Sequence, residues 1–170
     1  MNPYTYRATM LHVVDGDTVD CDVALLDKTF SAPRFKWPLP AFSLDVGFRI
    51  RVRVEPVTKD PKMKGSVTGA RVSVVVTDRF RLFGINAPES YGADATDAGR
   101  AAKAWLIARL PDGKSVILAT EKDHTEKYGR FLARVFACTS AGDAEAVSIN
   151  DEMVAAGHAK SWDGKGVRPT

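Results

Sequence analysis

Two short stretches carry the residue types that handle phosphates and hard cations. "VVDGDTVD", residues 13–20, sets Asp15 and Asp17 on either side of a glycine. "RLFGINAPES", residues 81–90, begins on Arg81 and places Asn86 three residues before Glu89. Hydrolysis of a phosphodiester needs a water activated near phosphorus and neutralisation of the charge that builds on oxygen. Carboxylate and amide oxygens are the donors a hard cation takes, and a cation supplies part of that neutralisation. An arginine supplies the rest, because its fork matches phosphate oxygens and keeps its charge. Each stretch taken singly also has a plainer reading. Asp-Gly is ordinary turn chemistry, and a glutamate after a proline is an ordinary surface residue.

The elements that must position these groups can be read from the pattern. "YTYRATMLHVV" is rich in β-branched and aromatic residues and predicts a strand. "DGDT" predicts the turn of a hairpin, and "VDCDVALL" alternates as its return strand, so Asp15 and Asp17 fall at the hairpin tip. "SAPRFKWPLPAF" has three prolines among aromatics and predicts a loop. "GFRIRVRVEP" alternates strictly, with Arg49, Arg51 and Arg53 on one side. "ARVSVVVTDRFRLFGI" predicts a long strand running into a turn at Asn86. "DATDAGRAAKAWLIARL" predicts a helix whose inner face is Ala98, Ala101, Ala102, Trp105 and Ala108 or Arg109. "KSVILATEK" and "RFLARVFAC" predict two further strands. "SINDEMVAAG" predicts a second helix, capped by Ser148 with Asp151 three residues on. The expected fold is α+β: a five-stranded OB-type Greek-key barrel with two helices and an inserted β-arm.

The bulk numbers suit one globular domain spanning 1–170, with an insertion at 28–70 and a tail at 163–170 expected to fray. Of the 170 residues 45% are hydrophobic and 26% charged. The net charge of +3 is unevenly spread: Lys28 to Arg71 holds ten basic and three acidic residues, +7, so the rest carries −4. Such a segment suits either a polyanionic partner or a solvated, self-repelling loop. Cys21 and Cys138 sit in apolar runs and are expected to be reduced and partly buried. No leader pattern or bilayer-length apolar run is legible, which predicts a cytoplasmic protein without a membrane partner. His12, His124 and His158 have no ligand spacing, and no zinc set or glycine-rich phosphate loop occurs.

Three blocks in order resemble the staphylococcal nuclease (thermonuclease) family of calcium-dependent phosphodiesterases. "VVDGDTV" is similar to its acidic hairpin, "RLFGINAPE" to its R-L-x-G-I/V-D-x-P-E strand end, and "EKYGRFLARVF" to its K-Y-G-R strand start. "INDEMVAAGHAK" resembles the helix that follows. The resemblance implies that Asp17 is a direct Ca2+ ligand, position 86 the second side-chain ligand and the Ala87 carbonyl a third. Asp15 is then a nearby acid, either ligand or outer neighbour. It implies that Glu89 is the general base, that Arg81 and Arg130 grip the phosphate, and that Lys127 and Tyr128 lie near the terminal phosphate. The chain departs from the family at Asn86, where the pattern has Asp. Trp162 stands one position from an aromatic of the family's pocket, and the final helix is short or missing.

Two functions follow. One is a metal-dependent endonuclease of DNA and/or RNA, leaving 3′-phosphates, with the arginines of the inserted arm following the nucleic-acid backbone and Phe35, Trp37 or Phe42 stacking on bases. The other is a catalytically weak or inactive nucleic-acid-binding module of the same fold. For the arm, the alternative is that Arg49, Arg51 and Arg53 keep an exposed strand from pairing with other chains.

Overall fold

A computed structural model describes residues 4–31, 42–46, 49–58, 67–121, 131–139, 142–164 and 169. The elements in chain order are β1 (Thr5–Asp15), β2 (Thr18–Ser31), β3 (Phe42–Val46), β4 (Ile50–Thr58), β5 (Val67–Leu82), β6 (Ile85–Asn86), α1 (Asp97–Arg109), β7 (Ser115–Glu121), β8 (Phe131–Ala137), α2 (Ile149–Ala155) and β9 (Lys160–Ser161). With two helices on a mostly β chain, the fold is α+β and OB-like. The chain divides into two compact units, one of Met1–Asp22 with Asp78–Thr170 and one of Val23–Thr77. β2 and β5 run from one into the other.

In the first unit the strand order is β2-β1-β7-β8-β5. β1 and β8 both pair antiparallel with β7, while β8 meets the end of β5 in parallel, Arg81 opposite Leu132. Alternation along these strands drives one side inward: Met10, Val19, Leu82, Val116, Leu118 and Val135 are fully or almost fully buried. Each contributes about 1.5–3 kcal/mol on leaving water. Leu106 and Leu110 from the α1 end and Ile149 and Met153 from α2 close this core. Cys21 and Cys138 are buried free thiols, and Cys21 Sγ lies 3.5 Å from the Met10 sulfur.

Both helices start on side-chain caps. Thr96 Oγ1 accepts from the Gly99 N–H at 3.0 Å, and Ser148 Oγ accepts from the Asp151 N–H at 3.1 Å, the predicted Ser148 cap. Each cap is worth about 1 kcal/mol. The inner face of α1 differs from the expected one: Gly99, Ala102 and Leu106 are buried, whereas Ala98 and Ala101 are exposed. The helix has alanines on nearly every side, so apolar periodicity does not choose among faces. Gly99 chooses, because only a residue without a side chain fits where the helix meets the backbone of Glu89.

In the second unit the order is β5-β4-β3, antiparallel throughout. β3 begins on Phe42, the last residue of the stretch expected to be a loop, and continues through residues to which the sequence assigned no element. The register sets Leu44, Val52 and Val74 in one row and Ile50 opposite Val76. The other side carries Ser43–Arg53–Ser73 and Asp45–Arg51–Val75. The predicted alternation of β4 is therefore present. Among the described residues Val23 is this unit's only apolar side chain in the buried core.

Candidate functional site

The site is built where β1, β2, β5 and β6 end. Asp15 closes β1, Gly16 and Asp17 form the turn, and Thr18 opens β2. The turn is not a solvated tip: Asp15 and Asp17 are 8% and 5% exposed. A backbone bond from the Leu82 N–H to the Asp17 carbonyl, 2.8 Å, ties it to the end of β5. Gly16 is required there, because a Cβ would come within 2.9 Å of the Ala87 Cβ. Asn86 lies on the two-residue strand β6 rather than in a turn, paired with Lys160 of β9.

Buried carboxylates must be paired or hydrogen-bonded. Asp17 Oδ2 faces Arg81 Nη2 at 2.7 Å, with both side chains 7% exposed. Asp17 Oδ1 receives the Thr18 hydroxyl at 2.9 Å and Arg81 Nη1 at 3.4 Å. The same Nη2 donates to Asn86 Oδ1 at 2.9 Å, so one guanidinium nitrogen bridges the two oxygens. Asn86 Nδ2 donates in turn to the Pro169 carbonyl at 2.9 Å. The guanidinium carbon sits 5.7 Å from the Trp162 ring centroid, and the Trp162 backbone N–H donates to the Gly84 carbonyl. Trp162 is thus at the site, whatever its register against the family pattern.

Asp15 faces the other way, towards the Glu89 turn. Its Oδ1 accepts the N–H groups of Gly16 at 2.8 Å and Ser90 at 3.2 Å. Burial works to raise its carboxyl. The Ser90 hydroxyl beside it, the Gly16 N–H, the Glu89 carboxyl and the Ser90 N–H outweigh burial and hold it below the usual carboxylate range. The Ser90 hydroxyl makes no aligned hydrogen bond among the described residues. Glu89 is fixed from behind by α1: its carbonyl accepts the Thr96 N–H at 3.0 Å, and a Cβ on Gly99 would fall 2.0 Å from that oxygen.

Asp15, Asp17, Arg81, Asn86, Ala87 and Glu89 therefore come together from segments some seventy residues apart in sequence. Arg130, Lys127 and Tyr128 lie outside the described residues, as do Phe35 and Trp37. Arg49, Arg51 and Arg53 belong to the second unit. Arg51 faces Asp45 at 3.5 Å and Arg53 faces Glu55 at 3.6 Å, so this side of β4 carries paired charges rather than a bare cationic stripe. Arg71, in the same unit, forms a bidentate pair with Asp27 at 2.6 and 2.7 Å. Phe42 opens β3.

The family model for staphylococcal nuclease homologues matches residues 79–167, more than half of the chain. The chain belongs to the staphylococcal nuclease family. The match takes in Arg81, Asn86, Glu89, both helices and Trp162, and the acidic turn precedes it. No curated protein matches the chain. A nuclease-type fold is what membership establishes, in a family that generally hydrolyses nucleic acids and is typically calcium-dependent.

The family's calcium can be tested against the donors present. Every candidate donor is an oxygen, the type calcium takes, and Asp17 and Asn86 present theirs to one shared point. The residues fit a hard cation in donor type, with a single carboxylate and an amide. Among the described residues no group of three or more His, Cys, Asp or Glu gathers to hold a metal.

Asn150 is a residue the motifs did not single out. Fully buried on α2, it accepts the Val135 N–H at 3.0 Å and donates to the carbonyls of Phe83 at 2.9 Å and Ala133 at 3.1 Å. It joins β8 to the chain between Arg81 and Asn86. Its signal in the sequence is an amide on the apolar stripe of Ile149 and Met153.

Proposed function

We propose that the protein hydrolyses phosphodiester bonds of DNA and/or RNA as an endonuclease. What carries the reading is the gathering of Asp17, Arg81 and Asn86 beside Glu89 within the unit that contains the family match. Glu89 takes a proton from water as its oxygen attacks phosphorus, and the bond to the leaving sugar oxygen breaks in line, leaving a 3′-phosphate. Arg81 and Arg130 hold the phosphate oxygens, and Lys127 and Tyr128 contact a terminal phosphate. Asp17, Asn86 and the Ala87 carbonyl would hold a calcium ion, with Asp15 behind them. Calcium, when bound, supplies positive charge against the developing oxyanion. The role of Asp15 in this chain is to anchor the turn that carries Glu89, through the Ser90 N–H at 3.2 Å.

We read the first unit as a five-stranded OB-type Greek-key barrel, and the pairing of β2 with β5 supports this. We read Arg49, Arg51 and Arg53 as backbone contacts for nucleic acid. A cytoplasmic location accompanies the reading. The test is cleavage of single- and double-stranded DNA and of RNA with calcium or chelator, beside Glu89→Gln. Cleavage that needs metal and vanishes in the variant is expected. Retained cleavage in Glu89→Gln would remove Glu89 as the base.

One observation favours a second reading, a nucleic-acid-binding module with weak or no catalysis. Arg81 is 6% exposed, and its two terminal nitrogens face Asp17 and Asn86 rather than solvent. Tight binding without cleavage at any calcium concentration is the result that would select it.

A further inference from the structure

We infer that Arg81 is the internal competitor of the calcium ion, and that Asn86 tilts the competition towards the arginine. The inference rests on the oxygen donors proposed above, and adds that they are already engaged by a cation of the chain itself.

The geometry is specific. Arg81 Nη2 lies 2.7 Å from Asp17 Oδ2 and 2.9 Å from Asn86 Oδ1, between the two side-chain oxygens that calcium would need. Arg81 Nη1 reaches the other Asp17 oxygen at 3.4 Å. Calcium binds oxygen at about 2.3–2.6 Å. An ion touching both oxygens would therefore occupy the space of Nη2 and would repel the guanidinium carrying it. The two cations exclude each other at this point.

Charge decides which one stays. Asp17 carries a formal negative charge, and Arg81 pairs with it at 2.7 Å. With a carboxylate at position 86 there would be two negative charges, which favour a divalent ion over a singly charged guanidinium. The amide withdraws one of them. Burial adds to the advantage of the occupant, because a pair that is 7% exposed on both sides is poorly screened by solvent. Trp162, with its ring 5.7 Å from the guanidinium carbon, backs the arginine in place. Calcium that does enter pushes the fork away from Asp17 and so releases it for phosphate. Metal binding and the phosphate grip are then linked, and the linkage acts equally in both directions.

The test measures binding rather than turnover. Calcium is titrated calorimetrically into the full chain, into Arg81→Gln and into Arg79→Gln. Arg79→Gln removes the same charge two residues along the strand, where the partner is Asp20 at 2.7 Å. Arg81→Gln is expected to bind calcium about tenfold or more tightly than the unaltered chain, the effect of one charge-assisted contact. Arg79→Gln is expected to stay within about twofold. In the unaltered chain labelled with nitrogen-15, the Arg81 side-chain N–H signals are expected to move as calcium is added. Equal or weaker binding by Arg81→Gln overturns the inference. So do Arg81 signals that stay fixed at saturating calcium, which decides the matter if the variant does not fold. Absence of calcium binding in every chain also overturns it. A chain that binds calcium as stated and cleaves nothing leaves the inference standing and removes the nuclease reading.

Discussion

Arg81 Nη2 lies 2.7 Å from Asp17 Oδ2, and this pair, 64 residues apart in sequence, is nearly closed to solvent. It joins the end of β5 to the acidic turn that precedes the family match. It is the main electrostatic link of the site.

Asp17→Asn keeps the shape and removes the charge, leaving a buried guanidinium without its counter-ion. Breaking a buried pair from one side costs about 3–5 kcal/mol. Urea unfolding should show a loss of that order with an unchanged slope. A loss below about 0.5 kcal/mol, the range of ordinary surface changes, would mean that the pair is not closed in solution.

Asn86→Asp restores the second charge at the oxygen site. The calcium concentration for half-maximal cleavage should fall roughly ten- to a hundredfold, since affinity follows the number of charged ligands. An unchanged requirement would show that position 86 does not meet the metal.

Gly99→Ala tests whether α1 sets the position of Glu89. A methyl there would fall 2.0 Å from the Glu89 carbonyl oxygen and 2.4 Å from its carbon, so the backbone must move. Stability should drop by about 1–3 kcal/mol from overpacking. The turnover number should drop about a hundredfold, the effect of misplacing a reacting group by an ångström. Ala98→Gly, on the exposed side of the same helix, should lower stability by under about 1 kcal/mol and leave turnover unaltered.

Cys21 gives a pH dependence. Burial pushes its thiol up from 9.0 to about 12, with the charges of Asp20 and Asp22 adding to the effect. A raised folded value means the neutral thiol is favoured by the fold. The stability it contributes is fully present below pH 9 and is lost as the pH rises towards 12. Thermal melts should show a decline in that window that flattens in Cys21→Ala. The thiol should resist a disulfide reagent at pH 8 until the chain unfolds.

Much of this protein was legible along the chain. β1, β2, β5, β7 and β8 announce themselves by alternation and β-branched content, and α2 by Ser148 and its apolar stripe. Those signals are local, fixed by the period of one element and the chemistry of one cap. The groups of the site were legible too, because "VVDGDTV" and "RLFGINAPE" are contiguous and resemble a family. Tertiary structure decided the rest. The inner face of α1 could not be chosen by periodicity among so many alanines; the approach of Gly99 to Glu89 chose it. The two-residue pairing of β6 with β9 is too short to leave a pattern. That Asp15 turns to Glu89 and Asp17 to Arg81, two residues apart and facing different partners, follows from which strand ends meet across a shared core. The sequence names the charges, but only the fold determines which of them neutralise one another.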